Sequence, residues 1–506
     1  MRLAELDSRY PSGLSLTGEG PGATPVAGIA YDSRRVQPGE IFVALKGLRS
    51  DGHDHLHQAI AQGATALIVD ASWAAEHGTD YGVPVFHAAD TREALAWLAA
   101  EHYGHPSRAM EVIGVTGTNG KTTTTHLIEA ILQEAGRSTG LIGTLGGRYQ
   151  EGGASQTLET GHTTPQSLEL QGLFARMKRS GVNAVVMEVS SHALDQLRVA
   201  HTDFDAAAFT NLTQDHLDYH QTMDAYAKAK AKLFGMIEPS AGFRGVAVNV
   251  DDAHGSTMAQ HARVPVLSYS ATGGQADLRA EGVTLTASGS RWKLVTPFGE
   301  QALALRLPGL FNVSNALAAI GCALSLGIPL ATCVAGLERV RGVPGRVELV
   351  TRPEDPFSVL VDYAHTPDGL ENVLRTAREF TRSRLLVVFG CGGDRDTGKR
   401  PQMGEIASRL ADGVYLTSDN PRSEDPQAIL AEVAAGIPAG VTGEVVIEAD
   451  RAEAIARAIA DAKAGDVVVI AGKGHETYQI FADRTIHFDD REVAKEALAK
   501  RTGAKC

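Results

Sequence analysis

At 506 residues the chain is too long for one hydrophobic core, and two to four domains are expected. Its 43% hydrophobic and 21% charged residues describe a soluble globular protein, and a net charge of −13 argues against a broad nucleic-acid-binding face while leaving room for a small anionic substrate. None of Cys322, Cys333, Cys391 and Cys506 stands in a C-x-x-C pair, so neither a zinc site nor a disulfide framework is suggested and a reducing cytoplasm fits.

In chain order, "MRLAELDSRY" shows no apolar signal core, consistent with a cytoplasmic protein. Residues 1–107 mix short apolar runs ("IFVAL", "TALIVD") with loops and read as a smaller N-terminal α/β domain, closed by the linker "HYGHPSRAM". Residues 108–344 open with "MEVIGVTG", a strand that empties into a glycine turn and a helix with Leu127, Ile128, Ile131, Leu132 and Ala135 on one face and Gly136 at its end. "NAVVMEVSS" and "GVAVNVD" are further strands. The uncharged stretch from Phe311 to Leu337 is broken by "GIP" and predicts two buried helices around a turn, with no membrane span. Residues 345–506 repeat the strand-then-loop pattern in "SRLLVVFGCGGDRD", "GVYLTSDNPR" and "GDVVVIAGKGHE". Buried strands alternating with helices imply an α/β protein with parallel-rich sheets and ligands at the carboxyl ends of the strands.

The chemistry concentrates at "GVTGTNGKTTTTHL", 114–127. The strict phosphate-loop pattern G-x-x-x-x-G-K-[ST] requires glycine where Val115 stands. The strand–turn–helix order nevertheless suits an anion, because free amides and the positive end of the helix dipole meet there. Lys121 can reach terminal phosphates, and Thr122 or Thr123 can offer a hydroxyl to Mg²⁺. Glu188, at the end of "AVVMEV", reads either as a Mg²⁺ ligand or as a surface carboxylate. "DHLDYH" gathers Asp215, His216, Asp218 and His220, either as a metal cluster or as loop and capping residues. By pattern alone Lys230, in "AYAKAKAKLF", belongs to a solvated basic helix face.

"GVTGTNGKTTT" resembles the ATP loop of the Mur ligase superfamily, whose pattern is G-T-N-G-K-[ST]. The resemblance runs through "HTTP" (162–165), "EVSSHALDQLRV" (188–199), "TNLTQDHLDYH" (210–220), "VDYAHTPDGL" (361–370), "GCGGDRDTGKRP" (390–401), "DNPR" (419–422) and "GKGHE" (472–476). Together these look like the branch that adds the third residue of the peptidoglycan stem peptide. The resemblance implies a central P-loop-type ATPase domain (108–344), a C-terminal Rossmann-like amino-acid-binding domain (345–506) and an N-terminal UDP-binding domain (1–107). It implies an ADP-forming amide ligase that activates a carboxylate as an acyl phosphate, with ATP as co-substrate, Mg²⁺ as cofactor and a monomeric state.

The same resemblance assigns residues. ATP would be held by Gly117, Thr118, Asn119, Gly120, Lys121, Thr122, Thr123, Asn315, Arg346 and Asp362. Lys121, Glu188, His216 and Lys230 would be catalytic; Thr122, Glu188, His216 and Lys230, the last as a carbamate, would hold the metal. The acceptor UDP-MurNAc-L-Ala-D-Glu would meet Ser33, Thr163, Thr164, Ser190, Gln196 and Arg198. His53, His55 and His57 would lie in a loop near uridine or in solvent. In that family "DNPR" marks enzymes adding meso-diaminopimelate. Arg422 would pair with its distal carboxylate and Asp419 and Asn420 with its ammonium, while Arg395, Pro421, Gly472 and Glu476 complete the pocket. Lysine- or ornithine-adding relatives stay open, and without context "SDNPR" is a proline turn with a solvated arginine. A folate polyglutamate ligase would share the loop but lack "DNPR". A nucleotide switch would want N-K-x-D, which does not occur.

Overall fold

The strand Glu111–Thr116 sends Ile113 and Val115 into one apolar core and Val112 into another. Its neighbour Ala184–Glu188 divides in the same way, Ala184 and Val186 against Val185 and Met187. A sheet covered on both faces needs apolar residues at every position, which is why these strands read as unbroken hydrophobic runs. Helices Lys121–Glu134, Leu310–Ser325 and Leu330–Arg339 cover one face; Ser167–Arg179 and Met223–Gly235 cover the other. Leu127, Ile128, Ile131 and Leu132 are completely buried, each worth about 1.5–3 kcal/mol of transfer free energy.

This computed structural model describes residues 25–47, 50–152, 154–158, 160–239, 242–352, 355–440 and 443–502, together with 3, 6, 9, 10 and 15–17. Cys506, most of the opening decapeptide and the side chain of Asp218 lie outside the described residues. Cys322, Cys333 and Cys391 are buried free thiols. Among the described residues no helix is long and apolar enough to cross a membrane. The uncharged stretch forms two buried helices, Leu310–Ser325 and Leu330–Arg339, on either side of "GIP".

Near the N-terminus, Gly28–Ala30, Glu40–Val43, Ala66–Asp70 and Val85–Ala88 pair in parallel, and Ser15–Thr17 closes the edge antiparallel. In the middle sheet of 11 strands, the strand leading to the phosphate loop sits between Ala184–Glu188 and Ala206–Phe209, parallel to both. The third sheet has six strands. In it Ser358–Asp362, Val467–Ala471, Leu385–Phe389, Gly413–Leu416 and Glu444–Ile447 run parallel, with Glu348–Leu349 antiparallel at the edge. Its two faces are covered by Pro367–Phe380, Lys399–Leu410 and Pro426–Ala434 on one side and Arg451–Asp461 with Asp490–Thr502 on the other.

The sheets are less purely parallel than strand–helix alternation implies. Leu278–Thr286, Gly289–Thr296 and Gly299–Leu305 form an antiparallel meander on one flank of the central sheet. Gly146–Glu151 and Ala154–Leu158 form a second antiparallel flank. Their mixed exposure (Leu278–Thr286 alternates in part between buried and exposed residues) shows them as half-wet strands at an edge.

Candidate active site

The phosphate loop is shaped by its glycines and by a second loop beneath it. Gly117 and Gly120 have φ of 149° and 83°, and a Cβ at either would collide with Thr210 or Asn315. Thr210 Oγ1 and Asn211 Nδ2 donate to Asn119 O at 2.6 and 3.2 Å, and Asn119 N donates to Asn211 Oδ1 at 2.9 Å. "TNLTQDH" is thus the cradle of "GTNGK". The Asn119 amide also donates to Asp368 Oδ2 at 2.6 Å, which ties the loop to the first turn of Pro367–Phe380.

Lys121 folds back over the loop, donating to Gly117 O and Thr118 O at 2.9 and 2.7 Å. Burial pushes its ammonium below the ordinary lysine range, and the nearby Glu188 and Asp215 pull it back up in part. Thr122 Oγ1 donates to Glu188 Oε1 at 3.0 Å, whereas Thr123 is simply buried. Glu188 is 1% exposed, which removes the surface-carboxylate alternative. It also accepts from Thr144 N at 2.9 Å and Thr144 Oγ1 at 3.1 Å. Asn315 stands behind the loop, accepting from Thr124 Oγ1 at 3.3 Å and donating to Asn312 Oδ1 at 3.1 Å.

Lys230 overturns the reading by pattern. Lys228 and Lys232 are exposed, but Lys230 is buried at 1% exposure, donates to Gly117 O at 2.8 Å and lies 4.4 Å from the Tyr226 ring centroid. Burial, reinforced by Lys121, holds its ammonium well below the usual value. His216 sits at a left-handed turn (φ 54°), 3.4 Å from the Asp215 carboxylate, with its ring edge-on to His192. The described side chains of "DHLDYH" gather no metal cluster: His220 is bonded to Ser191 at 2.9 Å, and among the described residues no three His, Cys, Asp or Glu side chains gather for a metal.

Arg346 is only partly exposed. Its Nη2 donates to Thr122 Oγ1 at 3.1 Å, its guanidinium lies over Tyr363, and its Nε is buried without a hydrogen-bond partner among the described residues. Asp362 spends both carboxylate oxygens on backbone, accepting from Val347 N and Ala364 N at 2.8 Å each. Burial raises its pKa. In this geometry Asp362 fixes the segment that carries Arg346.

Five of the residues assigned to the acceptor form one wall next to Glu188. Thr163 Oγ1 meets Thr144 Oγ1 at 3.2 Å, and Thr164 Oγ1 donates to Glu188 O at 2.9 Å and accepts from Ser190 N at 3.0 Å. Arg198 donates to Thr164 O at 3.1 Å and grips Gln196 Oε1 with two bonds of 3.1 and 2.7 Å. Ser33 stands apart in the N-terminal part, buried and bonded to Gln58 at 2.8 Å. His53 is structural: its ring takes Asp51 at 2.6 Å and Asp70 N at 3.0 Å.

A cleft of about 1280 Å³ separates the central and C-terminal parts. That exceeds the roughly 300–1,000 Å³ of a single small-ligand pocket. Asp215 and His216 line one side; Arg395, Asp419, Asn420, Arg422, Gly472 and Glu476 line the other. Arg422 has φ 52°, and its Nη1 donates to Gly393 O at 2.7 Å. Pro421 does not line the cleft; it is buried, and its carbonyl packs so closely on Gly393 that a Cβ there would collide. Beneath the floor, Arg451 pairs with Asp490 at 2.7 Å and donates to Ser418 O and Ala471 O, bracing the strand ends.

Residues 25–103, 115–323 and 345–474 match three family profiles, described as Mur ligase family, catalytic domain; Mur ligase middle domain; and Mur ligase, glutamate ligase domain. A UDP-N-acetylmuramoyl-L-alanyl-D-glutamate--2,6-diaminopimelate ligase of Gloeobacter violaceus is 51% identical over 94% of both chains. The chain belongs to the Mur ligase family. A ligase of the same name from Syntrophomonas wolfei is 48% identical over 98% of this Mur ligase and 99% of its own length. A solved structure carrying that name superposes with a TM-score of 0.70 at 34% identity, covering 99% of each chain.

Several side chains of this Mur ligase's cleft escaped the reading of its motifs. Tyr363, His365 and Asp368 all lie in "VDYAHTPDGL", where the resemblance points only to Asp362, and all three line the cleft. An acidic residue in the first turn after "HTP" was the available signal for Asp368. Lys399 and Tyr478 also line the cleft and carried no signal beyond their neighbourhood to "GDRD" and "GKGHE".

Proposed function

We propose that this Mur ligase joins meso-diaminopimelate to the D-Glu γ-carboxylate of UDP-MurNAc-L-Ala-D-Glu, at the expense of ATP, as a step of peptidoglycan precursor synthesis in the cytoplasm. The observation that carries this reading is a cleft with Asp215 and His216, from the loop that cradles "GTNGK", on one side and a C-terminal floor bearing Arg422, Asp419, Asn420 and Glu476 on the other, while Thr122 of the phosphate loop and Thr164 of the acceptor wall are both bonded to Glu188. The likeness to ligases of that name supports the choice of substrates. Residues 1–107, with Ser33, serve the UDP end, 108–344 serve ATP and 345–506 serve the amino acid.

A carboxylate is a poor acyl donor. Transfer of the ATP γ-phosphoryl group to the D-Glu γ-oxygen makes an acyl phosphate and releases ADP. The amine of diaminopimelate, once deprotonated, attacks the carbonyl carbon; the C–N bond forms, the C–O bond to phosphate breaks, and phosphate leaves. Little covalent help is needed from the protein, so catalysis is positioning and charge stabilisation. Lys121 and Arg346 bring positive charge to the moving phosphoryl group, and the partnerless buried Nε of Arg346 is donor capacity that suits a phosphate oxygen. Thr163, Thr164 and Arg198 hold the acceptor's acyl end beside the loop.

The oxygen donors Thr122 and Glu188, 3.0 Å apart, suit a hard cation such as Mg²⁺. With His216 and a Lys230 carbamate they would hold it, and it would offset phosphate charge. Lys230 fits carbamylation because burial and the neighbouring Lys121 favour the unprotonated amine that CO₂ requires.

The test offers diaminopimelate, lysine and ornithine in parallel with ATP, Mg²⁺ and UDP-MurNAc-L-Ala-D-Glu, and weighs the products. The diaminopimelate adduct is expected to dominate. A dominant lysine or ornithine adduct would overturn the amino-acid assignment, and ATP hydrolysis indifferent to both other substrates would overturn the ligase reading.

A further inference from the structure

Lys473 is completely buried yet carries its ammonium directly beneath the floor of the cleft. It stands between Gly472 (φ 119°) and Gly474 (φ 54°), in a turn that follows the strand Val467–Ala471. Its Nζ donates to Asn420 Oδ1 at 3.0 Å and to Glu476 Oε2 at 3.2 Å, and lies 4.0 Å from Asp419 Oδ1. The Tyr478 ring centroid is 5.7 Å away. Asp419, Asn420, Glu476 and Tyr478 all line the cleft, whereas Lys473 does not.

The bonds around Asn420 leave its amide one orientation. Ile480 N also donates to Asn420 Oδ1, at 3.0 Å, so this atom meets two donors and can only be the oxygen. The amide nitrogen is thereby directed to Glu476 Oε2, at 3.0 Å. Remove the ammonium and one of the two donors that fix the amide is gone, while two carboxylates lose the cation between them. A buried network with one member missing leaves its other members unsatisfied.

We infer that Lys473 is a positioning residue of the amino-acid subsite, which holds Asn420, Glu476 and Asp419 in the array that receives the charged head of the incoming diamino acid. The inference rests on the proposed function, and it adds a residue that acts on substrate only through its neighbours. A positioning role has a kinetic signature. The KM for the amino acid changes, whereas the KM for ATP, which meets the phosphate loop, does not.

The experiment compares wild type, Lys473→Met and Lys473→Gln with each substrate varied in turn. Lys473→Met keeps the length of the side chain but removes every donor, and Lys473→Gln retains one donor for Asn420. A roughly ten- to hundredfold rise in the KM for diaminopimelate is expected in Lys473→Met, a smaller rise in Lys473→Gln, and a KM for ATP within about twofold in both. Should Lys473→Met fail to fold, the Gln variant alone decides, by the same split. An unchanged KM for diaminopimelate in a folded variant, or an equal rise for ATP and the amino acid, overturns the inference. Wild type that ligates no diaminopimelate overturns the proposed function itself, and is distinguished by needing no variant.

Discussion

Lys121 and Lys230 donate to the same atom, Gly117 O, at 2.9 and 2.8 Å. Two ammonium groups on one buried carbonyl repel, and the cost falls on the more deeply enclosed of the two. Burial and the neighbouring Lys121 together depress the Lys230 pKa well below 10.5. In the window between that depressed value and 10.5, the unfolded chain binds a proton that the native chain does not. Stability of the unmodified protein therefore rises with pH through the window and falls as pH drops. In CO₂-depleted buffer, the urea midpoint of wild type should climb with pH more steeply than that of Lys230→Met. Parallel curves for the two proteins would remove the depressed lysine from the account.

The same depressed lysine leads to a chemical expectation. Lys230 should take up labelled bicarbonate and give a carbamate carbon signal by NMR. Lys230→Ala should lose the signal and most activity, with no recovery on adding bicarbonate. A short carboxylic acid is expected to restore part of the rate by standing in for the carbamate oxygens. A fully active wild-type enzyme with no labelled carbamate would contradict the assignment.

Lys121→Ala should fold normally and lose on the order of 10²–10³ in rate, the usual cost of one charge contact to a transition state. Single-turnover phosphate release reads this directly. The native contacts of Lys121 are to loop carbonyls, so little of the hydrophobic core depends on it. Near-normal turnover in the folded variant would rule out the role.

What the sequence made legible was local. The phosphate loop, its helix and the strand before it lie within 111–134, and their chemistry is carried by consecutive residues. Lys230 was illegible by pattern because Lys228, Lys230 and Lys232 look alike in sequence; the packing of Tyr226, Ala227 and Ala231 into the core beneath the central sheet decides which lysine is buried. The bond from Asn119 to Asp368 spans 249 positions, so no local motif could announce it. The meander from Leu278 to Leu305 went unread because its half-wet strands lack a continuous apolar run. Lys473 carries no signal in sequence, since nothing in "GKGHE" distinguishes a buried lysine from a solvated one.

Arg422 provides the sharpest test of amino-acid choice. Among the described residues its side-chain hydrogen bonds both leave from Nη1, to Gly393 O at 2.7 Å and Asn420 O at 3.5 Å. Those bonds aim the guanidinium at the cleft while Nη2 and Nε can form the two-point fork that a distal carboxylate accepts. Arg422→Ala should raise the KM for diaminopimelate ten- to hundredfold, since a charged hydrogen bond is worth about 1.5–3 kcal/mol. The KM for ATP should stay within about twofold, because Arg422 is not among the contacts of the phosphate loop. The backbone does not confuse the result: at φ 52° alanine and arginine carry the same Cβ strain, so their difference belongs to the side chain. Arg422→Lys should recover only part of the loss, because an ammonium cannot present a planar fork. Lysine, with no distal carboxylate to lose, should become a relatively better substrate in the alanine variant, since specificity is a difference of two affinities. Competition between diaminopimelate and lysine, read by product mass, measures that ratio. An unchanged ratio would show that Arg422 does not read the distal carboxylate, and would leave the ligase chemistry of the phosphate loop standing without it.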